Sequence, residues 1–173
     1  NDAVGNVDIA ADVDSGVSIA VTTDGTAREL SVSNGVYYYE GTRFAPSGAV
    51  HPATMCQYNH NSGSWEQTFL TVVNNTQYDD GTDLTALTTS YYTKHSLYIV
   101  GDGVNEQYLL VIGQSEHAVL QDAIDEPIAI PPGYFSDGIT IIGTIIVQEG
   151  VAAITEIRDE RPILGTSASA TRA

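Results

Sequence analysis

The chain has 173 residues, of which 42% are hydrophobic and 16% are charged, and this length and composition predict one ordinary globular domain or two small ones rather than a low-complexity or collagen-like protein. Its 22 acidic and 6 basic residues give a formal net charge of -16, which argues against binding to nucleic acid. The single cysteine excludes an intramolecular disulfide, and no apolar run is long enough to predict insertion into a membrane.

Turn residues divide the chain into short segments rich in valine, isoleucine, threonine and tyrosine, a pattern typical of an all-β protein. In the first 28 residues, apolar positions alternate with aspartates, and we expect strands that attach the chain to a partner. A competing interpretation makes this segment another pair of strands in the protein's own sheet.

Three hairpins are predicted from their turn residues. Asn34-Gly35 is the strongest signal, because this dipeptide adopts the positive backbone angles of a two-residue turn. The other two turns lie at 101–106 and at Glu149-Gly150. The predicted strand pairs are 28–33 with 36–44, 96–100 with 107–112, and 139–148 with 152–157.

Three further segments differ from a simple hairpin pattern. Residues 45–64 are rich in Pro, Gly, Asn, His and Ser and predict a loop. Ser115 is expected to cap a helix of two or three turns that ends before Pro127. Residues 139–147 are apolar on both faces of a strand, so both faces must be buried, by a second sheet in the same subunit or by a neighbouring subunit.

Residues with metal-binding or catalytic chemistry form no recognisable constellation. The four histidines lack the spacing of a zinc site, and no metal or other cofactor is expected. Two aspartate-glycine segments are similar to calcium loops but lack the bidentate glutamate, so turns explain them more simply. No nucleophile or phosphate-loop motif is present, and we do not expect an enzyme. The residues considered are His51, His60, His95, His117, 12–16 and 79–83.

Tyrosine is the most informative residue type, with 10 copies against 3 phenylalanines. It is favoured where a ring packs while its hydroxyl stays hydrated, as at subunit interfaces and sugar-binding faces, although a plain strand preference explains it equally well. Tyr98 and Tyr108 are expected to face each other across the second hairpin. The candidate glycan or interface residues are Tyr37, Tyr38, Tyr39, Tyr91 and Tyr92.

The segments 35–44, 92–100 and 154–165 resemble the fibre and appendage proteins of tailed bacteriophages. The last is similar to the "I-x-D-x-R-P" ending of such proteins, where a hairpin closes one module before a linker or shaft. The resemblance covers roughly residues 29–165 in order. The residues of this closing motif are Arg158, Asp159, Glu160, Arg161 and Pro162.

The resemblance implies a structural protein of a phage virion, in a tail fibre or a head or tail appendage. Its fold would be an antiparallel β-sandwich or barrel-like module with one short helix, assembled as a homotrimer. Its partners would be copies of itself, other virion proteins and, through distal parts, a host surface glycan. The expected organisation is attachment strands over 1–28, a fibre module over 29–165 and a small-residue linker over 166–173.

Two further expectations follow from these residues. The alternative function is a carbohydrate-binding module that recognises a host surface glycan through exposed tyrosines. Within the closing motif, Arg158 or Arg161 is expected to form a bidentate pair with a carboxylate, because the planar guanidinium matches a carboxylate in a way that lysine does not.

Overall fold

The computed structural model of the chain describes residues 11–21, 28–50, 53–135 and 138–162, and in them strands predominate over a single short helix. The all-β class is therefore confirmed. The elements are β1 (Ala11–Gly16), β2 (Ile19–Val21), β3 (Leu30–Val32), β4 (Gly35–Tyr39), β5 (Thr42–Phe44), β6 (Met55–Asn61), β7 (Ser64–Leu70), β8 (Gln77–Asp79), β9 (Leu84–Ala86), β10 (Tyr92–Val100), β11 (Gln107–Val111), α1 (Leu120–Asp125), β12 (Ile139–Gln148) and β13 (Ile154–Asp159).

The largest sheet has six strands in the order β13-β12-β10-β11-β6-β7. Most neighbours in it are antiparallel, but β6 and β11 run parallel, with Met55 opposite Tyr108 and Tyr58 opposite Val111. The predicted antiparallel pairing therefore holds for every neighbouring pair in this sheet except β6 with β11. A parallel pair needs a long crossover, and here the chain between the two strands builds β7, β8, β9 and β10.

Two of the three predicted hairpins are confirmed. The β10–β11 hairpin pairs Ser96 with Val111 and Val100 with Gln107, as its glycine-rich turn indicated. The β12–β13 hairpin pairs Val147 with Ile154 around the turn at Glu149-Gly150. In both, the turn residues stand directly between the strands that they join, so local sequence determines the pairing.

The first predicted hairpin is wrong, because Asn34-Gly35 lies inside a long strand pair rather than at its turn. Residues 11–21 run antiparallel to residues 30–39, and Gly16 stands opposite Gly35 at a kink in both strands. We call this pair the N-terminal ribbon. The tight turn lies at Glu40 and Gly41, whose φ angles of 49° and 85° match a two-residue hairpin turn between β4 and β5.

The N-terminal ribbon thus pairs residues 11–21 with strands of the same chain, the arrangement that the competing interpretation of this segment described. Residues 1–10 and 22–27 lie outside the described residues. The attachment role of the first 28 residues stays a prediction, and so does the linker role of residues 166–173, which also lie outside the described residues.

The main hydrophobic core fills the space between the N-terminal ribbon and one face of the six-stranded sheet, which we call the inner face. Val17, Leu30 and Tyr37 of the ribbon are fully buried there against Leu97 and Ile145 of the sheet. The opposite, outer face carries a smaller cluster under the chain that follows α1, with Leu109 and Val111 among its buried residues. Both faces of the sheet are therefore packed against other parts of the chain, and the inner face buries the larger cluster.

Strand β12 is covered on both faces within one chain. Ile145 and Val147 belong to the core on the inner face, and Ile146, which points the other way, is also fully buried. The two-sided apolar pattern is satisfied without a neighbouring subunit. This strand therefore gives no support to a trimer.

The predicted loop over 45–64 is wrong for its second half, which forms β6 and begins β7. Residues 55–59 are buried although Gln57 and Asn59 are polar, and the Gln57 amide donates a hydrogen bond of 3.1 Å to Asn59 Oδ1. Polar composition indicated a loop. Pairing with β7 and β11, however, satisfies the hydrogen-bonding groups of the β6 backbone and places this strand inside the sheet.

The predicted helix exists but is shorter than expected. It begins at Leu120 after Val119, which makes no side-chain cap, and it ends at Asp125 just before Pro127. Ser115 does not cap it; the Ser115 carbonyl instead accepts a hydrogen bond of 2.8 Å from the Thr93 hydroxyl. Among the described residues no helix has the length and apolar character needed to cross a membrane.

Gly143 is required where the N-terminal ribbon crosses β12. A Cβ atom at this position would lie 2.3 Å from Cδ1 of Ile19 and 3.0 Å from the carbonyl oxygen of Arg158. We expect Gly143→Ala to lower the free energy of unfolding by about 1–3 kcal/mol, measured from urea denaturation, because the added methyl overpacks the core.

The control for this substitution removes the clashing atom. Ile19→Val deletes Cδ1, so the double variant with Gly143→Ala should regain part of the lost stability. If the two substitutions instead act independently, the double variant will be less stable than Gly143→Ala by the same amount that Ile19→Val costs alone. That result would contradict this explanation.

Candidate functional site

The outer face of the six-stranded sheet carries a cluster of aromatic rings. Phe135 reaches back over the sheet after α1 and lies between two tyrosines, with ring centroids 5.1 Å from Tyr58 and 5.3 Å from Tyr98 at nearly perpendicular angles. Edge-to-face contacts of this kind stabilise aromatic packing. Burial raises the pKa of Tyr58 to about 12 and also raises the pKa of Tyr98, so both phenols stay neutral.

The rings continue to the surface along the edge strand β7. Trp65, Gln67 and Phe69 alternate onto the outer face, because they pair with His60, Tyr58 and Cys56 of β6. Two contacts fix this orientation: Trp65 packs against His60 with centroids 4.0 Å apart, and Cys56 Sγ lies 3.8 Å from Gln67 Oε1.

Tyr134 joins the same surface from the chain after α1. Its ring lies 6.3 Å from that of Tyr58 and remains 57% exposed, while Phe69 is 63% exposed and Trp65 is partly buried. We call the four residues Trp65, Gln67, Phe69 and Tyr134 the outer-face patch. It combines two exposed rings, one partly buried ring and one amide, and packed aromatic side chains lie beneath it.

His60 is held in one orientation behind Trp65. Its Nδ1 lies 2.9 Å from Oδ2 of Asp79, and the same oxygen accepts a 2.9 Å hydrogen bond from the His60 backbone N–H. Asp79 is fully buried and its other carboxylate oxygen accepts from the Gly81 N–H, so each oxygen has a partner. The outer-face patch therefore rests on a support fixed by hydrogen bonds.

The candidate tyrosines differ in burial. Tyr37 is fully buried, stacks on Phe44 with centroids 4.9 Å apart and donates a 2.6 Å hydrogen bond to the Gly138 carbonyl. Burial raises the pKa of Tyr37 to about 12. Tyr37 is therefore a core residue without a ring face available to a ligand. The remaining candidates are partly buried: Tyr38, Tyr39, Tyr91 and Tyr92.

Tyr98 and Tyr108 do not face each other as predicted. Tyr98 pairs with Leu109 and packs on the outer face, while Tyr108 pairs with Ile99 and belongs to the core on the inner face. The register places them one residue out of alignment, and in a strand a shift of one residue turns a side chain to the opposite face.

The closing motif contains the bidentate pair that the sequence predicted. Arg161 donates from Nε to Oδ1 of Asp159 at 2.8 Å and from a terminal nitrogen to Oδ2 at 2.6 Å. Its other terminal nitrogen donates to the carbonyl of Gly16 in the N-terminal ribbon. The hydrogen bonds from Arg161 hold the pKa of Asp159 below its usual value. The motif thus connects the end of β13 to the ribbon.

We expect Arg161→Lys to lower the free energy of unfolding by about 1 kcal/mol, seen as a fall in melting temperature of roughly 2–4 °C. The Arg161 side chain is only 20% exposed, and an ammonium cannot bind both the carboxylate and the Gly16 carbonyl in the same geometry. Arg158→Lys is the matched control, because Arg158 is 42% exposed and pairs with Glu156 alone. Equal melting temperatures for wild type and Arg161→Lys would refute the role of this pair.

The aspartate-rich segment at 79–83 forms the turn between β8 and β9. Both oxygens of Asp80 accept hydrogen bonds, from the N–H groups of Thr82 and Asp83 and from the Thr85 hydroxyl. These bonds lower the pKa of the Asp80 carboxyl. In the described parts of the chain, no group of three or more His, Cys, Asp or Glu side chains is placed to hold a metal ion. The other such segment, 12–16, is part of β1.

Two buried polar side chains on β10 have structural partners. His95 is fully buried; its Nε2 donates a 2.7 Å hydrogen bond to the Asn74 carbonyl, and its Nδ1 accepts one of 2.9 Å from the Gly113 N–H. Burial lowers the pKa of His95 to about 4. Lys94, the only lysine of the chain, is 6% exposed and donates to carbonyls at the end of α1.

Sequence reasoning missed the outer-face patch. Trp65 and Tyr58 lay in or beside the predicted loop, and Tyr134 and Phe135 lay in a connection without regular structure. One available signal was the alternation of Trp65, Gln67 and Phe69, which is typical of a strand with one distinct face. Comparisons of the chain with protein-family models, with curated proteins and with solved structures found no match.

Proposed function

We propose that the chain is a structural module of a bacteriophage virion, in a tail fibre or another appendage, and that it acts as a homotrimeric β-sandwich rather than as an enzyme. Its partners are copies of itself and other virion proteins. The proposal rests first on the resemblance of residues 29–165 to appendage proteins and on the closing motif at its end.

The geometry of the closing motif is the observation that carries this proposal. Arg161, which follows β13, binds Asp159 at the end of that strand and Gly16 on the N-terminal ribbon, so the residues at the end of β13 are held in a fixed position against the ribbon. A module in an appendage must hold its neighbours in a defined orientation, and a charge-assisted connection between the first and last described strands supplies such a fixed position.

The partners of the buried polar side chains agree with a structural role. The polar groups that would be natural candidates for chemistry are committed to structure: His95 to two backbone groups, Lys94 to the end of α1, and Asp79 to His60. Because β12 is covered within the chain, a trimer must form through other surfaces.

Two measurements test the proposal. Multi-angle light scattering of the purified chain at micromolar concentration should give about three times the mass of 18.4 kDa. An antibody raised against the chain should label the tail or the appendages of particles of the phage that encodes it, seen by electron microscopy. A monomer at that concentration would overturn the trimer, and unlabelled particles would overturn the virion role.

A further inference from the structure

We propose that the outer-face patch is a binding site for an uncharged glycan, which stacks its sugar rings on Trp65, Phe69 and Tyr134 and hydrogen-bonds to Gln67. This role goes beyond the structural function and does not depend on the trimer. The apolar faces of a sugar ring pack on aromatic faces, while its hydroxyls need hydrogen-bonding groups beside the rings.

The arrangement of the patch matches both needs. Trp65 and Phe69 lie four residues apart on the same face of β7, which separates them by roughly 14 Å at about 3.4 Å per residue. Gln67 stands between them, and its Oε1 accepts from Cys56, so its NH₂ group remains available as a donor. An extended chain of sugars can contact both rings and this amide together.

Two of the three rings, those of Trp65 and Tyr134, are held before any ligand arrives. Trp65 packs on His60, whose ring and backbone are bonded to the buried Asp79, and Tyr134 lies against Tyr58 under the contacts of Phe135. Side chains fixed in this way lose little conformational entropy on binding, which favours the weak stacking contacts of a sugar.

Charge selects an uncharged ligand. The chain has a formal net charge of -16, and none of the basic side chains that the structure describes lies on β7 or in the segment around Tyr134, which form the patch. Lys94 lies under α1, Arg158 and Arg161 lie at the opposite edge of the six-stranded sheet, Arg43 lies on β5, and Arg28 donates to the Val73 carbonyl. An anionic glycan would meet net repulsion here without a cation to bind it.

The exposed area favours a small ligand over a second copy of the chain. An aromatic side chain presents about 150–250 Å² in total, so with Phe69 63% exposed, Tyr134 57% exposed and Trp65 partly buried, the three rings offer roughly 250–350 Å². A stable protein interface needs about 800 Å² from each partner. The patch is less than half of that, and a polar amide lies at its centre instead of an apolar contact.

The experiment uses the tryptophan fluorescence of the intact chain, in which Trp65 is the only tryptophan and therefore reports on the patch alone. The protein is titrated with neutral oligosaccharides (maltohexaose, cellohexaose and a mannan hexasaccharide) and with an anionic one, a polygalacturonate fragment, and a glycan array widens the neutral set. We expect a saturable change with at least one neutral glycan and none with the anionic one.

Variants distinguish stacking from an indirect effect. Phe69→Ala and Tyr134→Ala each remove an exposed ring and should raise the dissociation constant about tenfold. Val50→Ala is the matched control, since Val50 is an exposed apolar residue outside the patch, and it should bind as wild type does. Melting temperatures verify that all variants are folded.

Three results would overturn the proposal: no neutral glycan bound in titration or on the array, binding confined to anionic glycans, or unchanged affinity in both ring variants. A fluorescence change that follows protein concentration, with a matching increase in mass by light scattering, would show that a second copy covers the patch and would also overturn it. None of these results bears on whether the chain is part of a virion, which the labelling of particles decides separately.

Discussion

Lowering the pH from 6.5 to 4 is expected to remove about 3 kcal/mol of folding stability through His95 alone. Burial lowers the pKa of this histidine from 6.5 to about 4, so the unfolded chain binds a proton over a range in which the folded chain does not. The stability from the neutral ring is complete above pH 6.5 and decreases as the pH falls towards the folded pKa. Urea denaturation at half-unit pH intervals measures this slope.

The variant His95→Gln separates this group from the many carboxylates. It should be less stable than wild type at pH 7, because the Asn74 carbonyl and the Gly113 N–H lose their geometry, but its stability should change little between pH 6.5 and 4.5. His117→Gln is the control, since His117 is 22% exposed and pairs with Glu126, and it should keep the wild-type decrease. A decrease in His95→Gln equal to that of wild type would assign the effect to other groups.

Replacing Lys94 by methionine is expected to lower the free energy of unfolding by about 2–3 kcal/mol. The ammonium of Lys94 donates hydrogen bonds of 3.0 Å and 2.7 Å to the carbonyls of Ile124 and Glu126, at the end of α1. A helix leaves its last carbonyls without internal partners, and a cation there also interacts favourably with the helix dipole. Methionine fills the space but leaves both carbonyls without this donor.

Hydrogen exchange adds a local measurement to the urea midpoint. In Lys94→Met the amides of α1 should exchange faster relative to those of β10, because the helix loses its connection to the sheet. Asp122→Ala, an exposed change in the first turn of the same helix, should alter stability by less than about 0.5 kcal/mol. Unaltered protection of α1 in Lys94→Met would show that the lysine does not hold the helix.

The sequence predicted those parts of the fold whose partners are close along the chain. The β10–β11 and β12–β13 hairpins were found because glycine-containing turns stand between alternating strands. The pair of Arg161 with Asp159 was also predictable from local sequence, since the two residues are two positions apart. Local chemistry is sufficient in these cases.

The remaining parts depend on partners far along the chain. β6 was taken for a loop because Gln57 and Asn59 are polar, yet its position is decided by pairing with β11, whose residues lie 53 positions later. Asn34-Gly35 is a strong hairpin signal locally. In the structure, however, β3 before it and β4 after it do not pair with each other, because each pairs with a strand in residues 11–21. Neither outcome is visible in a window of a few residues.

The candidate site was hard to predict for a related reason. The outer-face patch includes Tyr134 because the chain returns over the sheet after α1 and places Tyr134 and Phe135 against Tyr58 of β6, the strand that pairs with β7. Tyrosine runs indicated adjacent rings instead, and one of those, Tyr37, is needed to fill the core. Composition indicated that aromatic side chains could form a surface, but only the fold shows which rings are exposed.

The parallel pairing of β6 with β11 has a consequence for how quickly the chain reaches its native state. The β6–β7 hairpin closes locally and can form within microseconds, whereas its insertion beside β11 must wait until the β10–β11 hairpin exists. Until then the inner-face side chains of β6 have no partner, so we expect the joining of the two preformed hairpins to be the slowest step of refolding. A chain that folds in this order leaves the apolar side chains of β6 exposed for an interval, and crowding by identical chains during that interval favours exchange of hairpins between copies.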